Sequence, residues 1–273
     1  MNKIAFQGTH YAFSEIAARK YFGDNIETHP CRQFTDVFKS VENKNSHYGI
    51  IPVENSTTGS VYQNLDLMLD SSVTVVGEVQ LRIEQHLIAN PDVKLEDITV
   101  VYSHPQALQQ CGNFLASFPD IETIASYDTA GSVTHIRNEK MLHAAAIASR
   151  QAAEDNKMQI LKEEIEDNPQ NYTRFHIIAS TTQMPEGANK TSIIFSMKNI
   201  PGALFKSLSV FALRDIDLLK IESRPMRGKR WKYLFYLDFA GTMNEERCQN
   251  AIRHLEEITS FLKVIGSYKA AED

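Results

Sequence analysis

Short runs of β-forming residues alternate with helical patterns over the first two thirds of the chain, and this alternation constrains the fold more than any other feature. The junctions carry Gly, Ser, Thr, Asn or Pro and lack the two-residue turns typical of β-hairpins. Such junctions indicate βαβ units, so we predict an α/β fold with one or two open sheets. The predicted elements include helices over 105–118 and, in an alanine-rich segment, 144–154, and a strand at 176–180.

The pattern changes near Lys190. From there the sequence predicts strand, helix, strand, strand, helix and strand, over 191–198, 202–214, 217–226, 231–240, 245–259 and 261–268. This βαββαβ order is the ferredoxin-like arrangement. The preceding segment 183–189, QMPEGAN, has the Pro, Gly and polar content of an exposed linker. We therefore predict two domains, at 1–182 and 190–273.

Composition and charge exclude several classes of protein. The 273 residues carry a net charge of −6, whereas a nucleic-acid-binding domain needs a concentrated basic face. Cys31, Cys111 and Cys248 form no CxxC pair, so neither a disulfide framework nor a thiolate zinc site is predicted, and a reducing compartment fits. The N-terminus has no apolar signal region, and no run of about 18 apolar residues occurs. We expect a cytoplasmic protein with no membrane or nucleic-acid partner.

Four predicted strands end in loops that are rich in hydroxyl and amide side chains and that open helices. These loops are 8–14 (GTHYAFS), 52–61 (PVENSTTGSV), 103–106 (SHPQ) and 128–133 (DTAGSV). Helix N-termini attract anions, and open α/β sheets bind ligands at the carboxyl ends of their strands. The loops together predict a site for a small ligand with more than one anionic group. Taken singly, Ser14, Ser103 and Asp128 are more simply interpreted as helix N-caps, and it is the four loops together that favour a ligand site.

A fifth segment, NYTRF at 171–175, precedes the predicted strand at 176–180 and places Thr173 and Arg174 at a strand edge. An Arg there can bind a carboxylate with two parallel hydrogen bonds, although a solvated surface Arg is an equally simple interpretation. The sequence has no GxGxxG, GxxxxGK[ST], GxSxG or HExxH motif, and its histidines show no metal-binding spacing. We therefore predict no metal ion and no dinucleotide cofactor.

The segments PVENSTTGSV, SHPQALQQC, AAIAS (145–149) and NYTRF, followed by the βαββαβ pattern, resemble the prephenate dehydratase family of phenylalanine biosynthesis. The resemblance covers essentially the whole chain. PGALFKSL (201–208) and ESRP (222–225) resemble the phenylalanine-binding motifs of the family's ACT regulatory domain. The resemblance implies a catalytic domain of two α/β lobes, similar to type II periplasmic binding proteins, with the active site between the lobes.

The resemblance also implies roles for individual residues. Thr173 matches the residue most closely tied to catalysis. The positions that line or support the substrate site are Asn55, Ser56, Ser103, Gln106, Gln110, Arg174 and Phe175. The positions implied to bind phenylalanine are Gly202, Ala203, Leu204, Glu222, Ser223, Arg224 and Pro225. Prephenate is the implied substrate, phenylalanine the allosteric effector and a homo-oligomer, either a dimer or a dimer of dimers, the implied assembly, with no cofactor.

Prephenate carries two carboxylates and a ring hydroxyl, and loss of CO2 and hydroxide makes its ring aromatic. The enzyme therefore has mainly to help hydroxide leave. A Thr hydroxyl is too weak an acid to lose its proton freely, so we expect Thr173 to donate an oriented hydrogen bond to the departing group. We expect Arg174 to bind a carboxylate. At position 11, relatives commonly carry Gly where this chain has Tyr11, and a positive φ there would strain the loop.

Other functions stay open. Arogenate, the transaminated form of prephenate, would need much the same site, and two-lobed α/β folds also serve as non-catalytic anion or amino-acid sensors. The presence of Thr173 beside Arg174 disfavours a sensor. A fused chorismate mutase is not expected, because the chain begins almost directly with the dehydratase-like strand.

Overall fold

The computed structural model describes residues 1–181, 183–198, 200–226, 228 and 230–272. Thr182 and Asp273, where the two predicted domain ranges end, lie outside the described residues. The chain forms two compact units. Unit 1 comprises Met1–Val61 and Val79–Phe175, and unit 2 comprises Tyr62–Glu78 and His176–Asp273.

The elements up to residue 179 alternate between strands and helices. They are β1 (Asn2–Gln7), α1 (Phe13–Phe22), β2 (Ile26–Cys31), α2 (Phe34–Glu42), β3 (Tyr48–Asn55), β4 (Gly59–Ser60), α3 (Tyr62–Asp70), β5 (Thr74–Arg82), β6 (His86–Ala89), β7 (Val100–Ser103), α4 (Pro105–Gln110), α5 (Gly112–Ala116), β8 (Glu122–Ala125), α6 (Thr129–Asn138), β9 (Ala144–Ala148), α7 (Arg150–Asn156), β10 (Gln159–Lys162) and β11 (Tyr172–Ala179). No helix in these or the remaining described ranges is long and apolar enough to cross a bilayer.

These strands form two sheets. The first has the order β2-β1-β3-β11-β5, with β4 paired to β3, and the second has the order β10-β6-β9-β7-β8. The pairs of β1 with β2 and β3, and of β7 with β8 and β9, are parallel. Strands β5 and β11 pass from one unit into the other, after Glu78 and Phe175. The mixed α/β fold with open sheets is as the sequence predicts.

The predicted alanine-rich helix over 144–154 is wrong. Its first half is strand β9, whose five residues are fully buried, and helix α7 begins only at Arg150. Ala144, Ala146 and Ala148 pack into one apolar cluster, whereas Ala145 and Ile147 pack into another. Burial on both faces of a central strand therefore outweighs the helix propensity of alanine. The predicted helix over 105–118 is likewise two short helices, α4 and α5.

The C-terminal part of unit 2 has the βαββαβ order that the sequence predicts. Its elements are β12 (Lys190–Met197), α8 (Ala203–Ala212), β13 (Leu218–Pro225), β14 (Tyr233–Ala240), α9 (Glu246–Ile258) and β15 (Thr259–Tyr268). The sheet order is β13-β14-β12-β15, and the pairs are antiparallel. One sheet face packs on α8 and α9 through Phe195, Phe239, Phe211 and Leu255. We call residues 190–268 the C-terminal module.

Segment 62–78, which contains α3 and the start of β5, belongs to unit 2 although it comes early in the chain. A Cβ at Gly266 of β15 would lie 2.1 Å from the Val75 carbonyl oxygen, so only glycine permits this approach of β15 to β5.

Unit 2 also holds a buried ion cluster, which we define as Glu78, His176, Lys190 and Asp238. Lys190 Nζ lies 2.7 Å from Glu78 Oε2 and 3.3 Å from Asp238 Oδ2, and His176 Nε2 lies 3.7 Å from Glu78 Oε2. All four residues are buried.

Candidate active site

The four loops that the sequence predicts to hold a ligand lie at the carboxyl ends of β1, β3, β7 and β8. Thr9 Oγ1 donates to Asp128 Oδ1 at 3.2 Å, which joins the loops after β1 and β8. Gln106 Nε2 donates to Thr58 Oγ1 at 2.9 Å, which joins the loops after β3 and β7. Because β1 pairs in parallel with β3, and β7 with β8, these ends belong to neighbouring strands of each sheet. The structure thus brings the four loops together in unit 1.

Asn55 ends β3, is buried, and organises the loop that follows it. Its Oδ1 accepts the backbone N–H groups of Thr57 and Thr58, each at 3.0 Å, and their hydroxyls at 2.6 and 3.1 Å. These donors fill the accepting capacity of the amide oxygen. Asn55 thereby holds the turn that presents Thr57 to Gln110 and Thr58 to Gln106 of α4.

The amide nitrogen of Asn55 orients Thr173. Asn55 Nδ2 donates to Thr173 Oγ1 at 2.9 Å, to Asn171 Oδ1 at 2.7 Å and to the Tyr172 carbonyl at 3.1 Å. Thr173 is 8% exposed, and within the described part of the chain no atom accepts its hydroxyl proton. A hydroxyl that accepts an N–H bond directs its own O–H elsewhere. Thr173 therefore keeps one donor for a ligand.

The structure places Thr173 and Arg174 inside a strand, so the prediction that they precede a strand at 176–180 is wrong. β11 begins at Tyr172 because the NYTRF backbone continues the sheet beside β3. Successive strand residues point to opposite faces. Arg174 Nη1 lies 3.0 Å from Glu54 Oε2, whereas Thr173 contacts Asn55, the next residue of β3. The two side chains therefore lie on opposite faces, and Arg174 already has an acidic partner.

Three other predicted site residues use their side chains within the protein. Ser56 Oγ donates to the Gln170 carbonyl at 2.7 Å and accepts a backbone N–H of β11 at 2.9 Å. Ser103 Oγ donates to the Ile147 carbonyl at 2.6 Å, and Phe175 is 2% exposed. These residues hold the loop and the sheets in place. Of the predicted substrate-site residues, Gln106, Gln110 and Thr173 remain as polar groups at the loops, and Asn55 orients Thr173.

Thr57 and Thr58 are functional candidates that the predicted set omits. Their hydroxyls connect Asn55 to the two glutamines of α4. The available signal was their position: they directly follow Asn55 and Ser56 in the loop 52–61.

Of Ser14, Ser103 and Asp128, each open to interpretation as an N-cap, only Asp128 caps a helix, α6. Ser14 lies inside α1. Helix α4 is capped by His104, whose Nδ1 accepts the Gln106 N–H at 3.2 Å. Burial lowers the pKa of His104 and so favours the neutral ring, the form in which Nδ1 can accept.

Tyr11 adopts the positive φ considered for the first loop, at 72°. The buried Glu15 carboxylate accepts the Tyr11 N–H at 2.7 Å, and the Tyr11 carbonyl accepts the Ser149 hydroxyl at 3.2 Å. Burial acts to raise the pKa of Glu15, but bonds from Tyr11 and Arg19 outweigh it, so the pKa is lowered. An ionised Glu15 therefore holds Tyr11 in a conformation that a bulky residue seldom adopts.

The residues predicted to bind phenylalanine lie in the C-terminal module. Gly202 precedes α8 with a φ of 76°, and Ala203 and Leu204 form the first turn. The other four, Glu222, Ser223, Arg224 and Pro225, end the edge strand β13.

The described residues contain no group of three or more His, Cys, Asp or Glu side chains placed to hold a metal ion. All three cysteines are buried, free thiols.

A set of hydroxyl and amide groups at the carboxyl ends of parallel strands defines an α/β protein that binds a small polar ligand. The chain matches the family model of prephenate dehydratase over residues 4–183, and it belongs to that family. Arogenate dehydratase/prephenate dehydratase 2, chloroplastic, from Arabidopsis thaliana is 44% identical over an alignment of 278 positions, which covers 97% of this chain and 72% of that protein.

Solved structures agree in fold. The prephenate dehydratase of Arthrobacter aurescens in complex with L-Phe has a TM-score of 0.90 and 28% identity, and the match covers 98% of this chain and 90% of that one. GqqA, a quorum quenching acylase of a novel type, has a TM-score of 0.87 and 28% identity, with 98% of each chain covered.

Proposed function

We propose that this chain is an enzyme that converts prephenate to phenylpyruvate, CO2 and water. The observation that carries the proposal is the Thr173 hydroxyl, which accepts from Asn55 and keeps its proton for a ligand. The chain's membership of the prephenate dehydratase family supports the same reaction.

In the proposed reaction, the bond between the ring and its carboxylate breaks and releases CO2. The electron pair of that bond enters the ring, and the ring C–O bond breaks with its pair going to oxygen. Thr173 donates a hydrogen bond to this oxygen as negative charge develops, and the departing hydroxide takes one proton from solvent to give water. A donor oriented before the reaction stabilises that charge without having to reorganise.

The loops provide polar groups for the rest of the substrate. Gln106 and Gln110 lie against Thr58 and Thr57, and they are our proposed contacts to prephenate. Asn55 positions Thr173, while Ser56, Ser103 and Phe175 support the site.

We propose that Arg174 binds a substrate carboxylate, as the family resemblance implies, and that it does so while shared with Glu54. A guanidinium can bind a carboxylate with two parallel hydrogen bonds, which suits this role.

We propose that residues 1–182 form a two-lobed catalytic domain of the periplasmic-binding-protein type and that 190–273 form an ACT domain binding phenylalanine. The related Arthrobacter structure contains L-Phe. Exposed apolar side chains on the edge strand and on α8, including Ile221 at 44% and Phe205 at 76%, favour association of copies. We also propose a homo-oligomer, dimer or dimer of dimers, in the cytoplasm.

The test is product formation by the purified chain from prephenate or arogenate, with and without phenylalanine. We expect phenylpyruvate from prephenate at a rate that phenylalanine changes. A preference for arogenate would change the substrate and keep the chemistry, whereas stabilisation by prephenate without turnover of either compound would favour a sensor.

A further inference from the structure

The chain leaves unit 1 immediately next to the candidate site. The loop that follows Asn55 is tied to unit 1 as far as Val61, whose N–H donates to the Val53 carbonyl at 3.0 Å. The next residue, Tyr62, begins helix α3 and belongs to unit 2. A single peptide bond, between Val61 and Tyr62, therefore separates α3 from the loop that carries Asn55.

The first half of α3 is held by the edge strand of the C-terminal module. Arg224 Nη2 of β13 lies 3.0 Å from Asp66 Oδ2, and the guanidinium lies 4.7 Å from the centroid of the Tyr62 ring. The Arg224 and Asp66 side chains are 21% and 13% exposed, so solvent screens their ion pair less than a surface pair. A hydrogen bond with Glu222 raises the pKa of the Tyr62 phenol, which adds a contact from the same strand.

The other end of α3 is held by β15. Lys263 Nζ donates to the carbonyls of Met68, Leu69 and Ser71 at 2.7, 3.1 and 2.6 Å. The last carbonyls of a helix have no partner within it, and a cation there also interacts favourably with the helix dipole. An ammonium has three N–H bonds, and this one has three carbonyl acceptors.

Arg224 and Lys263, which hold the two ends of α3, both belong to the C-terminal module and lie far from α3 in sequence. The nine residues of α3 span about 14 Å. A short helix that is bound to the C-terminal module at both ends moves together with that module. None of the predicted roles in substrate or effector binding uses Lys263 or Asp66.

We propose that α3 is a coupling helix, through which the C-terminal module fixes the position of the Asn55 loop, and that Lys263 and Arg224 are positioning residues for Thr173. The catalytic part of this inference rests on the proposed function. An effector bound beside β13 would then act on the site through Arg224, which contacts α3 and lies in the strand predicted to bind phenylalanine.

The experiment compares Lys263→Met, which keeps the aliphatic stem but removes the ammonium, with Lys263→Arg. Lys269→Met, whose ammonium pairs with Glu272 at 2.6 Å, is the matched control. For Lys263→Met we expect kcat for prephenate to fall about tenfold with KM within about twofold, because a small misplacement of catalytic groups costs rate. Lys263→Arg should recover most of the loss, and the control should match wild type.

Hydrogen–deuterium exchange gives a readout that does not depend on turnover. The peptide covering 55–61 should exchange faster in Lys263→Met than in wild type and in the control. If Lys263→Met does not fold, Asp66→Asn tests the other end of α3 by the same two measurements.

If the wild-type chain turns over prephenate and folded Lys263→Met has the same kcat, the coupling role is wrong. Unchanged exchange at 55–61 would also overturn it. A wild-type chain that does not turn over prephenate would instead contradict the proposed function. The exchange data would still decide for or against coupling in that case.

Discussion

The candidate site in unit 1 and the buried ion cluster in unit 2 are both dense polar networks, but they differ in charge. At the site, Asn55 and Thr173 are neutral, and one hydroxyl proton is left without an acceptor among the described residues. In the ion cluster, Lys190 lies between two carboxylates, and Glu78 also faces His176.

The neutral network of the candidate site can act on a ligand, whereas the ion cluster stabilises the fold. Burial acts to raise the pKa of Glu78, but His176 and Lys190 outweigh it and hold that pKa well below its ordinary value. A cluster of paired, buried charges is costly to break, because removing one charge leaves the other buried and unpaired. Altering a neutral network that has an unused donor should change the free energy of unfolding little but lower the reaction rate strongly.

The largest effect should come from Thr173→Ala. We expect kcat for prephenate to fall about a hundredfold or more, as when a single donor to a developing negative charge is removed. KM should change little, and the free energy of unfolding should fall by only about 1 kcal/mol, because the Asn55 amide keeps Asn171 Oδ1 and the Tyr172 carbonyl as acceptors. Steady-state kinetics and urea unfolding measure the two quantities.

Thr173→Ser is the matched control, because it keeps the hydroxyl and loses only a methyl group. It should retain kcat within about tenfold. Equal losses in kcat and in affinity for Thr173→Ala would argue against the donor role.

The opposite pattern is expected for Glu78→Gln. Removing one partner of a buried ion pair should lower the free energy of unfolding by about 3 kcal/mol. The folded variant should keep kcat within about twofold of wild type. Glu27→Gln, which breaks the surface pair with Lys3, is the control and should cost less than about 1 kcal/mol. A large loss of kcat in folded Glu78→Gln would remove the distinction between the two networks.

Lowering the pH should weaken the ion cluster. The pKa of Glu78 is lower in the folded protein than its ordinary value of 4.5, so the unfolded chain binds more protons on acidification. The stabilisation by Glu78 is fully present above about pH 4.5 and is lost as pH falls below it. The difference in free energy of unfolding between wild type and Glu78→Gln should shrink between pH 5 and pH 3, as urea titrations would show. A constant difference would mean that Glu78 does not titrate as described.

A smaller effect is expected for Arg174→Lys. The variant keeps the charge but loses the planar fork, so KM should rise about fivefold, equivalent to about 1 kcal/mol, with kcat little changed. Glu54→Gln removes the carboxylate that pairs with Arg174. It therefore shows whether a change in KM comes from substrate binding or from loss of the ion pair. An unchanged KM in Arg174→Lys would refute the assignment to a carboxylate.

Much of this architecture is readable from local sequence. The hydroxyl- and amide-rich loops mark the carboxyl ends of strands, and the spacing of apolar residues gives the βαββαβ order. The failures have a common cause in tertiary packing. The alanines of β9 favour a helix in isolation, but burial between two cores makes them a strand.

The geometry of the candidate site depends on strand pairing, which local sequence does not give. The NYTRF segment predicts that Thr173 and Arg174 lie at a strand edge, whereas strand pairing places them inside β11 and on opposite faces. The contact of Arg224 with Asp66 and the inclusion of 62–78 in unit 2 join residues far apart in the chain. No local pattern encodes such contacts.

The most direct test of the central claim is calorimetric titration of prephenate into Thr173→Ala. If Thr173 acts on the departing hydroxyl and not on binding, the dissociation constant should lie within about threefold of the wild-type KM while product formation is nearly abolished. Loss of prephenate binding in parallel with loss of turnover would contradict the account.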